Sequence, residues 1–267
     1  MALADNYAES ISPKALIECL NKGALRLKSF SITDIGRKRQ LNQDYVFSSD
    51  DKIGALKNLY IVADGMGGHN AGDFASKYTV ETVVREIKGS IEKKPFRIIG
   101  KAIRVANELV RARAKEDIHM YGMGTTIVIA TIDEHQLQIA NVGDSRLYLI
   151  SDTIRQITRD HSLVAEMVRK GGIAPEAAKD HPDKNIITRA VGARDSIEVD
   201  FFTEDLREGD IVLLCSDGLT NMLSDEDIFN IVKKNSTLED AATELINAAN
   251  ENGGKDNIAV VLIDDYA

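Results

Sequence analysis

The 267-residue sequence predicts an α+β fold of layered antiparallel sheets, and three observations carry that prediction. The middle of the chain holds four strand-like apolar runs joined by turns too short for parallel crossovers. Segments with a helical apolar period come in pairs instead of alternating one by one with strands. The composition, 43% hydrophobic and 28% charged with four prolines, is that of a globular chain able to bury a sizeable core.

Taken in order, residues 1–25 place Leu16, Ile17, Leu20 and Leu25 at roughly helical spacing, which predicts an N-terminal helical extension ahead of a domain over 26–267. Segments 44–49 and 57–63 read as strands. From Ala71 a helix is expected, with Phe74, Tyr78, Val84, Ile87 and Ile91 on its apolar face. A second helix over 96–117 keeps the period through Ile99, Ile103, Ala106 and Val110. The runs TTIVIATI, LQIANV, RLYLI and IRQI then predict strands, paired antiparallel through turns at 133–136, 143–145 and 151–153. Residues 161–180 turn helical, with Leu163, Val164, Met167 and Val168 sharing a face and Gly171-Gly172 as the stop. Near the C-terminus IVLLC and NIAVVLI are strands, and between them Ser224 with Asp227 and Ser236 with Glu239 each read as a capping box.

The net charge of −9 argues against nucleic acid or an anionic membrane as the main partner. It leaves phosphate chemistry open, because bound cations can supply local positive charge. Cys19 and Cys215 make no disulfide framework, and Cys215 within IVLLCSDG reads as a buried thiol. No basic-then-apolar leader and no membrane-length apolar run is present, so a soluble, cytoplasmic protein is expected.

Four carboxylates stand at strand ends beside glycines. Asp64 follows LYIVA, Asp217 follows IVLLCS, Asp144 lies in NVGDSR, and Asp256 lies in GGKDN. Converging carboxylates repel one another unless cations lie between them. Asp, backbone carbonyl and water are hard oxygen donors suited to Mg²⁺ or Mn²⁺, and the sequence has no histidine pair or paired-cysteine motif to suit zinc. Taken singly, each piece has an ordinary explanation: Asp-Gly is a common turn, His69 a helix-flanking surface residue, Arg39 a solvated charge.

Together, TDIGRKRQLNQD, VADGMGGH, MGTT, NVGDSR, TRDHSL, ITRAVG, LLCSDGLTNML and GGKDNIAVVLI resemble the successive motifs of the metal-dependent protein phosphatases of the type 2C class, in their bacterial form. The resemblance runs from about Ser31 to Ile263. It implies a four-layer α-β-β-α sandwich of two antiparallel sheets flanked by helices, with a two-metal site at one end. In that pattern Asp64 resembles the carboxylate bridging both metals, with the Gly65 carbonyl a further ligand. Asp217 and Asp256 complete the first metal, and Asp44 supports the second through water. Asp144 and Asp217 resemble the pair holding a weaker third ion. Arg39 sits where the family keeps its phosphate-binding arginine, whose planar fork suits two phosphate oxygens. His69 matches the proposed general acid for the leaving alkoxide. Residues 163–189 stand in the place of the family's flap segment. Two departures bear on the metals: Asn221 stands where some eukaryotic members carry an acid, and Gln43 replaces an acidic neighbour of the second metal.

The resemblance implies hydrolysis of phosphoserine and phosphothreonine in proteins by a water activated between two Mn²⁺ or Mg²⁺ ions, opposing a bacterial Ser/Thr kinase. A monomer acting on phosphorylated proteins is the expected state. Such a mechanism needs no covalent intermediate, so Cys215 is not required as a nucleophile. Three rival readings stand beside it. One is a silent member that binds phosphoproteins, although every expected ligand is present. Another is a phosphatase of a small metabolite. The third is an acidic Ca²⁺ module, for which the spaced-acid loop is missing.

Overall fold

Apolar runs that do not alternate with polar residues become strands covered on both faces. In β3 (Leu59–Met66) every residue from Leu59 to Ala63 is buried, and the side chains divide by parity. Leu59, Ile61 and Ala63 pack toward a pair of helices, whereas Tyr60 and Val62 pack between two sheets. In β10 (Ile211–Cys215) and β11 (Ile258–Asp264), Val212, Leu214, Val261 and Ile263 enter the same inter-sheet layer. Leu213, Cys215, Val260 and Leu262 face a second pair of helices. Two sheets with both outer faces covered give the α-β-β-α order, seen here in a computed structural model that describes residues 27–68, 71–178 and 181–265.

One sheet runs β1 (Lys28–Asp34), β11, β10, β7 (Arg146–Ile150), β8 (Ile154–Gln156). The other runs β2 (Asp44–Ser49), β3, β5 (Ile127–Asp133), β6 (Gln136–Val142), β9 (Asp200–Asp205), with the short β4 (Gly124–Thr125) paired to β3. All ladders are antiparallel. Helices α1 (Ala71–Lys88) and α2 (Pro95–Glu116) cover the second sheet. Four shorter helices follow: α3 (Leu163–Arg169), α4 (Pro175–Ala178), α5 (Asp217–Thr220) and α6 (Asp225–Lys234). With α7 (Leu238–Glu251), α6 covers the first sheet.

Several local expectations are corrected. The turn at 143–145 does not close a hairpin: β6 pairs with β5 and β9, while β7 pairs with β10 and β8. These three residues carry the chain from one sheet to the other, a gap of about 10 Å that so short a link can span. Gly143 makes the turn with φ +108°, and a Cβ there would lie 2.6 Å from Thr126. Ile91 is fully exposed, because α1 ends at Lys88 and the apolar stripe ends with Ile87. The helix expected over 161–180 splits in two, Gly171 at φ +73° closing the first piece, and of its four supposed face residues Val164 is the buried one. The last helix is capped one residue later than Ser236, by Thr237, whose hydroxyl accepts from the Asp240 N–H. The Ser224–Asp227 capping box forms as read. The apolar pattern does not mark strands β1 and β9, since β1 is half-buried from Ser29 to Asp34 and β9 alternates exposed with half-buried positions. The extension expected over 1–25, Cys19 and His69 lie outside the described residues.

Candidate active site

The ladder between β2 and β3 sets Asp44 directly opposite Asp64. Two carboxylates therefore sit side by side at one sheet end. Asp64 is fixed through its backbone: its N–H donates to Thr126 Oγ1 at 2.9 Å, and its carbonyl accepts from Thr125 Oγ1 at 2.8 Å and Thr126 N at 2.9 Å. Thr126 Oγ1 also meets Ser145 Oγ at 2.7 Å, which ties the turn carrying Asp144 to the strand carrying Asp64. Next in chain to Asp64, Gly65 donates its N–H to the Gln43 carbonyl at 3.0 Å. A Cβ on Gly65 would lie 1.9 Å from the Gly72 carbonyl oxygen, so β3 and α1 meet here only with glycine.

From the other sheet come Asp217, at the start of α5 just after β10, and Asp256, just before β11. Asp217 Oδ2 accepts from Asn221 Nδ2 at 2.9 Å, and Asp256 Oδ2 accepts from Arg39 Nη2 at 2.7 Å. Ser216 bridges the sheets: it donates to Asp44 Oδ2 at 2.6 Å and accepts the Ala259 N–H at 2.9 Å. Asp44 Oδ1 and Asp217 Oδ1 are buried without a hydrogen-bond partner. A cleft of about 230 Å³ is lined by Arg39, Asp64, Gly65, Asp144, Asp217 and Asp256, and buried Asp44 stands opposite Asp64 in the β2–β3 ladder. A second cleft of about 480 Å³ shares Asp144, Asn185 and Asp217 with it and is walled by α3.

Crowding of buried carboxylates dominates the electrostatics. Burial, then the charges of Asp217 and Asp256, pushes Asp44 up to about 8 despite the Ser216 hydrogen bond. Asp64 is held well above the carboxylate range by burial and then by Asp44, Asp217 and Asp144. Asp144 rises to about 8 through burial and then Asp217 and Asp160, and Asp217 rises through burial and then Asp256. Buried carboxylates of this kind stay ionised only with cations beside them, and two orphaned oxygens are available to such ions. The donor set is all oxygen, so it fits hard divalent cations. Among the described residues no three acidic, histidine or cysteine side chains close on one point, so water would be needed to complete the shell of a bound ion.

All the described site residues expected from the sequence are gathered at this end: Arg39, Asp44, Asp64, Gly65, Asp144, Asp217 and Asp256. Sequence reading assigned no role to Thr125, Thr126, Ser216 or His161, although each stands inside a quoted motif. Buried His161 accepts the Gly143 N–H at Nδ1, 3.0 Å, and its Nε2 faces Asp200 Oδ2 at 3.2 Å, so it fixes the turn that presents Asp144. Arg146, the last residue of NVGDSR, is neutralised by Asp160 through Nε and Nη2 and donates to the Tyr148 hydroxyl. Cys215 is fully buried and its thiol is pushed up to about 12 by burial, which removes it as a nucleophile at neutral pH.

Known proteins are similar to this chain in sequence and fold. The family model described as Protein phosphatase 2C matches residues 35–262. The serine/threonine phosphatase stp of Listeria innocua is 43% identical over 239 residues, covering 87% of this chain and 93% of that protein. The Streptococcus agalactiae serine/threonine phosphatase structure superposes with a TM-score of 0.83 at 38% identity, covering 89% of this chain and 99% of that one. The catalytic domain of the serine/threonine protein phosphatase PstP, solved with two manganese ions, matches with a TM-score of 0.79 at 32% identity over 89% of this chain and 97% of that one.

Proposed function

Because the chain belongs to the protein phosphatase 2C family, we propose that it is a metal-dependent phosphatase hydrolysing phosphoserine and phosphothreonine in proteins. The observation that carries this reading is the convergence of Asp64, Asp144, Asp217 and Asp256 on one cleft beside Arg39, with buried Asp44 paired opposite Asp64 and two buried oxygens left without partners. Asp64, the Gly65 carbonyl, Asp217 and Asp256 are assigned to the first of two Mn²⁺ or Mg²⁺ ions. Asp64 and, through water, Asp44 would serve the second, and Asp144 with Asp217 would hold a weaker third. Bound there, the cations would supply a water of lowered pKa and charge to neutralise the phosphoryl oxygens.

The chain's own groups supply the rest. Arg39 offers its guanidinium fork to two phosphate oxygens, exchanging its half-exposed pairing with Asp256 for the substrate. His69 is assigned, on family resemblance, to protonating the departing Ser or Thr oxygen. Ser216, Thr125 and Thr126 hold Asp44 and Asp64 in place, so that little reorganisation is needed when charge develops. Residues 163–189 are assigned, on family resemblance, to the flap, and Val164, Ala165, Lys184 and Asn185 of this segment line the second cleft. A bacterial Ser/Thr kinase and its targets are the natural counterparts, acting with a monomer in the cytoplasm. Among the described residues no helix is long and apolar enough to cross a membrane.

Release of phosphate from a phosphothreonine peptide, with Mn²⁺ and then with EDTA, tests the proposal. Turnover that needs the metal supports it. Folded protein that releases no phosphate in saturating Mn²⁺ would instead be a silent phosphoprotein-binding member. A higher kcat/KM on a small phosphorylated metabolite than on phosphopeptides would move the substrate class.

A further inference from the structure

Residues 37–41, which include Arg39, are exposed and have no buried apolar side chain to anchor them. Their position is set by polar pins from the far end of the sequence. Asn257, 3% exposed, donates from Nδ2 to the Ile35 carbonyl at 2.9 Å and to the Leu41 carbonyl at 3.0 Å. Its Oδ1 accepts the Gln43 N–H at 2.9 Å. One side-chain amide thus grips the loop on both sides of Arg39. The Arg37 and Lys38 N–H groups donate to the Gly254 carbonyl at 2.8 and 3.2 Å. Gly36 lies so close that a Cβ would be 2.2 Å from the Asp256 carbonyl oxygen.

We infer that Asn257 is a positioning residue for Arg39, fixing the phosphate-side loop relative to the adjacent Asp256; the inference rests on the phosphatase reading given above. The ion pair between Arg39 and Asp256 does not do this alone, since both side chains are substantially exposed and such pairs contribute little. Asn257 is buried, and both of its N–H donors and its oxygen are used within the one loop. Removing its side chain frees two carbonyls and one N–H at a solvent-facing loop, where water can satisfy them. The consequence is a looser Arg39 rather than a collapsed domain.

The test is a double-mutant cycle of Asn257→Ala and Arg39→Ala, read as KM and kcat on a phosphothreonine peptide in saturating Mn²⁺, beside hydrogen exchange of residues 36–43. Asn257→Ala alone is expected to raise KM about tenfold with kcat within about threefold, as for loss of ground-state phosphate binding. In the Arg39→Ala background the same substitution is expected to change KM by less than about twofold, since its effect passes through that arginine. The Gln43 amide is expected to exchange about tenfold faster or more in the variant. Equal KM effects in both backgrounds, or unchanged exchange over 36–43, would overturn the inference. If the alanine variant does not fold, Asn257→Asp serves the same cycle, keeping the size and the acceptor for Gln43 while losing both donors. Absence of metal-dependent turnover in the unsubstituted protein would sink the phosphatase reading instead, and the exchange measurement would still decide whether Asn257 holds the loop.

Discussion

Replacing Ser216 by Ala separates metal affinity from chemistry. Its hydroxyl is fully buried and donates to Asp44 Oδ2 at 2.6 Å while accepting the Ala259 N–H. The other oxygen of Asp44 has no hydrogen-bond partner, so alanine leaves the carboxylate without a side-chain donor. A hydrogen bond to a charged group contributes about 1.5–3 kcal/mol, so the ionised form of Asp44 loses roughly 10- to 100-fold in favourability. The Ser216 bond lowers the Asp44 pKa, which burial has already pushed up to about 8; losing it makes the proton compete harder with a cation. Titration of phosphate release with Mn²⁺ should therefore show half-activation shifted upward by roughly 10- to 100-fold, with kcat at saturating Mn²⁺ nearly restored. The backbone bond from Ser216 N to the Ala259 carbonyl persists, so the strand end stays in place. An unchanged Mn²⁺ dependence would refute the claim that Ser216 tunes Asp44.

Other outcomes follow from the same geometry. Asp64→Asn should abolish turnover yet raise the metal-free melting temperature, because the amide removes the cost of protonating a buried carboxylate on folding near neutral pH; substantial residual activity would reject Asp64 as the bridging carboxylate. Asp44 and Asp144, each raised to about 8, contribute stability that is complete below the ordinary carboxylate range and is lost as pH rises toward 8, so the metal-free Tm should fall over about pH 4 to 8 and level off above, while the increment given by Mn²⁺ grows. A flat Mn²⁺ increment across that range, measured by calorimetry, would contradict this. His161 has the opposite sign: burial lowers its pKa from 6.5, so the stability it contributes is lost as pH falls below that value, and His161→Gln should flatten the acid side of the profile. Thr126→Val removes the acceptor of the Asp64 N–H and the partner of Ser145; chemical denaturation should register a loss of about 1–3 kcal/mol, together with weakened Mn²⁺ activation.

The sequence by itself determined the strand and helix types over most of the described chain, because apolar periodicity and caps are local. It also marked carboxylates that gather at one end of the sheets, because Asp64, Asp217 and Asp256 each stand at a strand end beside or near a glycine, in a recognisable order of motifs. Tertiary structure decided what these residues touch. The three residues at 143–145 look like a hairpin turn, yet they cross between sheets, since β7 finds its partners in β10 and β8. Ser216 reaches Asp44 across 172 positions and Asn257 reaches Gln43 across 214, contacts that exist only once two sheets stack with their ends aligned. Periodicity records which face of a strand is buried; it carries no information about which distant loop a buried hydroxyl or amide will meet. That information arises from strand order and sheet packing, which is why the carboxylates could be read from the sequence and the groups that hold them in place could not.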